Sequence, residues 1–343
     1  MKDTRVTAAE VAKRAGVSQP TVSRVFTPGL HVSKIKEKRV REAARELGYL
    51  PNTLARSLNT GRSRTIGLVL ANLKNPFSTE ALQRFSRALR DNGYHLLVFF
   101  ANDLDEDVDA VVEDLLAHQV DGIILASVST SIRLTSRLDA VSIPFVLFNR
   151  GQEDRSLPSV TASNFDGGRQ AGRFLASSGH RRIAHIAGWQ KSVNGRERQE
   201  GFIAGLAEFG LEPISCIDCH FKRDMAVEAT IALFADATRP EAIFVGNDDM
   251  AFGVIETLRF TLGLHLPNDV SVVGFDDVTM AAWPSFDLTT LRQPAEMIVD
   301  TTVEMLLDMI ETGKRPEGRV EISTALIVRG SARIPEGWPD EGL

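Results

Sequence analysis

Cysteine is nearly absent: two residues, Cys216 and Cys219, in a chain of 343. Two thiols so close together cannot staple a fold, so a disulfide scaffold is excluded. Cys216-Ile217-Asp218-Cys219-His220 does spell the covalent-haem pattern. Such attachment belongs to exported proteins, and Met1 to Ala15 is charged, without the apolar stretch of a secretory signal. Two reduced thiols in a cytosol is the reading adopted. No apolar run approaches the ~20 residues of a membrane span, so a cytoplasmic protein with no membrane partner is expected. The seven histidines are scattered without metal-ligand spacing. There is no phosphate loop, nucleophile elbow or His-Glu-x-x-His, and Gly167-Gly168 near Gly172 does not make a dinucleotide fingerprint. Neither an enzyme, a metal site nor a cofactor is expected.

Positive charge is also short overall, with a net charge of −6, yet it is concentrated at one end. Residues 1–64 carry 14 Lys and Arg against 5 Asp and Glu, a net of +9, which leaves −15 for residues 65–343. An acidic body with one basic end is the footprint of a phosphate-binding module.

That end reads as three helices. Thr7-Ala8-Ala9-Glu10 is a capping box, with Val11, Ala12 and Ala15 on one face. Gly16 stops the helix and Val17 plugs the turn. Ser18 is an N-cap candidate and Pro20 sits in the first turn of the second helix. Val22, Val25 and Phe26 give that helix a buried side. Gln19, Thr21, Ser23 and Arg24 are left outside. Two short helices across such a turn make a helix-turn-helix, whose second helix enters the major groove. Ser33 to Leu47 is a third helix, with Ile35, Val40, Ala44 and Leu47 inward and six Lys and Arg elsewhere. Pro51-Asn52 then starts a helix over Thr53–Leu58. So short a helix does not hold alone in water, because nucleation costs more than it recovers; it forms when something packs on Leu54 and Leu58.

Val11-Ala12, Ala15-Gly16-Val17-Ser18, Thr21-Val22-Ser23-Arg24-Val25 and Asn52-x-x-Ala55-Arg56-x-Leu58 together resemble the lactose-repressor (LacI/GalR) family of transcription regulators. The resemblance implies that Gln19 and Pro20 read bases with Arg24 alongside. Ser18, Thr21 and Ser23 would hold phosphates. Leu58 would be a wedge in the minor groove, with Asn52, Ala55 and Arg56 in the same hinge helix. Gln suits adenine and Arg guanine, while Pro20 offers only an apolar contact. One departure is Thr27-Pro28-Gly29, where the family usually carries Asn.

Beyond Gly61-Arg62-Ser63-Arg64 the pattern alternates. Strand-length apolar runs appear at Ile66–Ala71, Leu96–Ala101, Gly122–Ala126, Phe145–Phe148, Ile183–Ala187, Ala242–Val245 and Val270–Gly274. Amphipathic stretches lie between them, at about 77–92, 106–118, 165–178, 197–209, 223–235 and 249–261. That alternation predicts an α/β fold with buried parallel sheets. The resemblance implies a two-lobed type I periplasmic-binding-protein-like core behind an all-α helix-turn-helix head and hinge helix. The expected boundaries are 1–50 for the head, 51–64 for hinge and linker, and 65–343 for the core. Lobe 1 would take about 65–163 and 294–322, and lobe 2 about 164–291 and 323–333; periodicity alone does not show that crossing.

Ligands of open α/β sheets bind beyond the carboxyl ends of strands. Asn149, Asn247 and Asp276 sit at such ends, and Asn75-Pro76-Phe77 follows the first. Residues of this kind commonly serve as N-caps or turns, and Asp248 is read that way. The family motifs Val245-Gly246-Asn247-Asp248 and Val273-Gly274-Phe275-Asp276-Asp277 raise Asn247 and Asp276; Arg198, within Arg196-Glu197-Arg198-Gln199-Glu200-Gly201-Phe202, matches the family's ligand-clasping Arg, and Phe221 falls where the family places an aromatic over the ligand. Phe77 would close the other side. One Arg, one Asp and two Asn among aromatic rings suit a sugar or sugar acid, and after it a purine-like base acting as corepressor. After Arg329 only 14 residues remain, without a leucine heptad, so a homodimer on a palindromic double-stranded operator is expected. The function expected is therefore an effector-controlled, DNA-binding repressor; an activator is the alternative within the class, and a solute-binding or enzymatic core with a fused head is the rival from outside it.

Overall fold

The computed structural model describes residues 6–26, 30–50, 62–70, 73, 75–101, 105–126, 132–152, 156–235 and 238–338. They form two compact units, Met1–Arg64 and Thr65–Leu343.

The first unit is a three-helix head of α1 (Ala8–Ala15), α2 (Gln19–Val25) and α3 (Lys34–Leu47). At α1 the Thr7 N–H donates to Glu10 Oε2 at 2.7 Å, while the Glu10 N–H reaches the Thr7 hydroxyl at 3.4 Å. Gly16 closes the helix at φ +63°, a left-handed conformation that costs glycine nothing. Val11, Val22 and Val40 are fully buried at the centre, with Ala12, Ala15, Val25, Ala43 and Ala44 around them. Ile35 does not join them; it is 75% exposed, and Ala43 takes the inward place. Positions 40, 43, 44 and 47 share one helical stripe, whereas Ile35 lies five residues before Val40 and is rotated off it.

The second unit is α/β. In chain order it runs β1 (Thr65–Leu70), α4 (Pro76–Asp91), β2 (His95–Phe100), α5 (Asp105–Ala117), β3 (Gly122–Ala126), α6 (Ile132–Ala140), β4 (Phe145–Phe148) and β5 (Ser159–Ala162). Next come α7 (Asn164–Ser177), β6 (Ile183–Ala187), α8 (Val193–Ala207), β7 (Ser215–Asp218), α9 (Arg223–Ala235), β8 (Ala242–Val245), α10 (Asp248–Glu256), β9 (Ser271–Asp276) and β10 (Thr289–Arg292). The last are α11 (Ala295–Thr312), β11 (Arg319–Ile322) and β12 (Ala325–Ile327).

Two six-stranded sheets result, ordered β11-β5-β4-β3-β1-β2 and β12-β10-β9-β8-β6-β7. Every pairing is parallel except that of β10 with β12. Helix α11 packs on α4, β3, β4 and β5, so the chain passes between the lobes after β5, after β10 and after β11. Strands β3, β4 and β8 are buried along their whole length, as parallel strands covered on both faces must be.

Several elements do not announce themselves as apolar runs. Ser159–Ala162 and Thr289–Arg292 are strands built half from Ser and Thr, and α6 fills a stretch without a sequence signal. The stretch at about 249–261 is one helix only to Glu256, then a π turn over Thr257–Thr261. The Gly167-Gly168 pair also acquires a purpose. A Cβ on Gly168 would lie 2.1 Å from the Arg198 carbonyl oxygen, and one on Gly201 would lie 1.9 Å from that of Phe165. Helices α7 and α8 thus meet backbone to backbone. Among the described residues no helix is long and apolar enough to cross a membrane.

Candidate functional site

Two candidate sites stand in separate units. On the head, Gln19 and Pro20 open α2 and Ser18 is its N-cap. The Ser18 hydroxyl gives no cap bond; it pairs instead with the Thr21 hydroxyl at 2.9 Å. Ser18, Gln19, Pro20, Ser23 and Arg24 are exposed, and Thr21 is half-buried. The first turn of α2 therefore presents one amide and several hydroxyls to solvent, with Arg24 one turn on. All six basic side chains of α3 are exposed as well. Asn52, Ala55, Arg56 and Leu58, with the expected hinge helix and the Thr27-Pro28-Gly29 loop, lie outside the described residues.

In the core the site forms from strand ends upward. Asp276 is the last residue of β9 and only 3% exposed. Arg198 projects from α8, is equally buried, and brings its Nη1 to 3.7 Å from Asp276 Oδ1. The guanidinium donates from Nη1 to the Gly246 carbonyl at 2.6 Å and from Nε to Asn164 Oδ1 at 2.9 Å. Its Cζ lies over the Phe275 ring, 3.7 Å from the centroid, with the Phe221 ring centroid 5.7 Å away. Asp276 Oδ1 in turn accepts from Gln293 Nε2 at 2.5 Å.

Burial decides the charge here. It pushes the Asp276 carboxyl up to about 8, although Arg198 opposes the shift and Asp248 adds to it. The same burial lowers Arg198 to about 10. The two directions agree: at 3.7 Å this pair does not fully offset the loss of water around either group.

Asp248 is not the N-cap expected of it. Asn247 holds that role, accepting the Met250 N–H at 3.0 Å. Asp248 is buried beneath, taking the Thr290 hydroxyl at 2.6 Å and the Val278 N–H at 3.0 Å, and burial raises its carboxyl to about 6. Asn247 thus spends its oxygen on the helix start.

The first lobe contributes at a distance. Asn149 follows β4 at φ +50°; its carbonyl accepts from Asn194 Nδ2 at 3.0 Å, and the Gly151 N–H returns to Asn194 Oδ1 at 2.9 Å. Since Asn194 stands on the helix that carries Arg198, that amide links the lobes. Phe77 is buried against Phe148, ring centroids 6.2 Å apart, within the first-lobe core.

Two physical signals converge on this crevice. Asn149, His220, Phe221, Asp276 and Asp277 all have positive φ at strand ends, each such residue costing about 1–3 kcal/mol unless its surroundings enforce it. In this crevice Asn149 Oδ1, Asp276 Oδ2 and Gln293 Oε1 are also buried and lack a hydrogen bond among the described residues. Unpaired buried polar atoms cost roughly 1–3 kcal/mol each; the two amide oxygens call for a donor, and Oδ2, which carries the proton when the Asp276 carboxyl is neutral, calls for an acceptor. Gln293, Asn164 and Asn194 escaped the sequence reading. None of the three carried a distinct signal, since Gln293 directly follows Arg292, the end of a strand built half from Thr.

The geometry has counterparts among known proteins. The family model for bacterial regulatory proteins of the lacI family matches residues 7–52, and a periplasmic binding protein-like domain matches 173–332. An HTH-type transcriptional repressor PurR from Erwinia tasmaniensis is 35% identical, over 94% of this chain and 95% of that protein. The ribose operon repressor of Escherichia coli is 31% identical, over 94% and 98%. Among solved structures, the lac repressor dimer bound to operator and the anti-inducer ONPF shares 27% identity at a TM-score of 0.85, covering 96% of this chain and 99% of that one. A complex of the transcriptional regulator CelR with cellobiose shares 31% identity at a TM-score of 0.72, over 96% and 100%.

Proposed function

Because this chain belongs to the lacI family of bacterial regulatory proteins, we propose the following division of labour within a DNA-binding transcriptional repressor under small-molecule control. The head, with Gln19, Pro20 and Arg24 at base edges and Ser18, Thr21 and Ser23 on phosphates, reads one half of a palindromic operator in the cytoplasm. A homodimer supplies the other half. The hinge residues Asn52, Ala55, Arg56 and Leu58 complete the grip in the minor groove. The units divide at 1–50, 51–64 and 65–343, with the core lobes exchanging segments after β5, β10 and β11.

The effector sits in the crevice of Arg198, Asp276, Phe221 and Asn149, with Asn247 and Phe77 at its edges. The observation that carries this is a pair of unpartnered buried amide oxygens, Asn149 Oδ1 and Gln293 Oε1, together with the unpartnered Oδ2 of a carboxyl biased toward protonation. A hydroxyl both donates to the amide oxygens and accepts from a neutral Asp276 carboxyl, and the aromatic face of Phe221 covers an apolar ring face, so a sugar is the effector class supported best. A complex of a relative with cellobiose and the repressor of a ribose operon point the same way. The Arg198 guanidinium is already spent on Gly246, Asn164 and Asp276, which counts against a sugar acid. A purine-like base, whose N–H groups also donate, is the second reading; the Phe221 ring beside the site favours it.

Control works by population shift. An effector that closes the lobes alters the spacing of the two hinge segments over DNA, and coupling of this kind is typically ~1–3 kcal/mol. Thermal-shift screening of the full chain against neutral sugars, sugar acids and nucleobases tests the assignment, since a binder raises the melting point by mass action. A neutral sugar is expected to do so, and Arg198→Ala to abolish the shift. A response confined to nucleobases, or one that survives Arg198→Ala, overturns it.

A further inference from the structure

A second cavity lies away from this crevice, on the side where the lobes are joined. It has a volume of about 270 Å³. One wall is the face of α7 that carries Asp166, Arg169, Gln170 and Arg173. The other is the Ser323-Thr324 segment between β11 and β12, and Ser163, between β5 and α7, closes one end. Two of the three crossings between the lobes therefore border it. None of the crevice residues does.

The polar groups of this cavity are prepared for a ligand. Glu208, at the end of α8, holds both arginines by their Nε edges, Arg169 at 2.5 Å and Arg173 at 3.3 Å. That leaves the terminal nitrogens of both guanidiniums without a hydrogen bond among the described residues, fixed side by side one turn apart. Paired guanidinium ends suit a carboxylate. Thr324 is 8% exposed, and its buried hydroxyl oxygen, beside Gly167 of α7, has no hydrogen-bond partner among the described residues. Ser163, equally buried, stands at the N-cap of α7 yet gives no side-chain cap bond, so the positive end of a 14-residue helix is left uncapped by it. Among the lining residues one is anionic, the exposed Asp166, three residues from Arg169.

We propose that this cavity binds a small carboxylate with a hydrogen-bond donor on the adjacent carbon, a 2-hydroxy or 2-amino acid. Its carboxylate rests on the free ends of Arg169 and Arg173. The neighbouring hydroxyl or ammonium meets Asp166, and the Thr324 and Ser163 hydroxyls turn toward the bound group. Inorganic phosphate brings up to two negative charges beside the Asp166 carboxylate and fits less well. Because the ligand spans two crossings, it restrains the angle between the lobes. The site is therefore a second regulatory input, linked reciprocally to effector binding in the crevice.

The test is thermal shift and calorimetry on the full chain with four probes: L-lactate, glycine, acetate and inorganic phosphate. L-lactate or glycine is expected to raise the melting point saturably, at least threefold tighter than acetate, with phosphate inert. Thr324→Val, which keeps size and all ion pairs, is expected to weaken binding at least threefold, and the Arg169→Gln/Arg173→Gln double variant to abolish it. Asp166→Asn is expected to erase the preference over acetate. Arg198→Ala is expected to leave this response intact, which separates the site from the effector crevice. If the double variant does not fold, Thr324→Val and Asp166→Asn decide. No saturable shift, a shift unaltered by those variants, or equal binding of acetate or phosphate overturns the proposal.

Discussion

Glu80 on α4 accepts two hydrogen bonds from Thr279, one from the backbone N–H at 2.9 Å and one from the hydroxyl at 2.7 Å. The two residues are 199 apart in sequence and belong to different lobes, and Thr279 lies three residues after Asp276. A first-lobe carboxylate therefore caps the turn that leaves the effector carboxyl. Hydrogen bonds to a charged group are worth ~1.5–3 kcal/mol when well formed, and partial exposure reduces that here. Glu80→Ala is expected to lower effector affinity roughly tenfold, about 1.4 kcal/mol. Thr279→Val keeps the backbone donor and is expected to cost less. Calorimetry with any sugar that raises the melting point checks this; unchanged affinity in Glu80→Ala would show that the contact does not participate in closure.

Arg198 is held by two acceptors, one carboxyl and one ring face. A lysine offers a point charge and no planar fork, so Arg198→Lys is expected to lose effector response almost as fully as Arg198→Ala. Both variants are expected to bind DNA normally. The stability cost of Arg198→Ala is expected to fall below the ~3–5 kcal/mol of breaking a fully charged buried pair, because Asp276 is already biased toward its neutral form. Denaturant unfolding reads the cost directly, and a loss above that range would mean Asp276 is charged in the free protein.

The raised Asp276 carboxyl makes stability depend on pH. Its folded value, about 8, lies above the ordinary 3.8, so the folded state holds the proton more tightly than the unfolded one. The resulting stabilisation is full below the unfolded value and is lost as pH rises through 8. Asp248, raised to about 6, behaves alike at lower pH. His180 and His185, held neutral by burial down to about 4, act in the opposite sense below 6.5. Between pH 6.5 and 8 Asp276 is the group that changes most. Stability of the wild type is expected to fall there by up to about 1 kcal/mol per pH unit, and Asp276→Asn to flatten the slope. Equal slopes in the two proteins would contradict the assignment.

On the head, base readers and phosphate holders separate by their specificity. Gln19→Ala is expected to cost ~1–3 kcal/mol at one base pair and to relax the preference there. Thr21→Ala is expected to weaken binding evenly across sequences. Affinities for an operator and its single-base variants, at fixed salt, distinguish the two. A uniform loss in Gln19→Ala would remove it from the reading surface.

What was legible followed from local rules. The capping box at Thr7, the left-handed Gly16 and the buried valines of the head are short-range chemistry, and so are the all-apolar strands. Arg198, Asp276 and Phe221 came from family motifs, and the structure brings those three together. Ile35 was misplaced because an apolar residue outside the stripe looks like any other until the helix register is known. Asp248 reads as a cap or turn residue in the sequence, yet Asn247 holds the N-cap and Asp248 is bonded to Thr290 and Val278, because adjacent polar residues compete for one N-cap and only packing decides between them. Gln293, Asn164 and Asn194 were missed for the same reason: an amide's role depends on what the fold places opposite it.

The most direct measurement is operator affinity with and without the sugar that stabilises the protein, in the wild type and in Arg198→Ala. The full chain would be titrated by fluorescence anisotropy onto a duplex selected by the protein itself, at two salt concentrations. The wild type is expected to lose affinity as salt rises and to change affinity roughly 5–150-fold with the sugar, while Arg198→Ala binds equally with and without it. A sugar that stabilises the protein yet leaves wild-type DNA affinity unchanged, or shifts both proteins alike, would contradict control through this crevice.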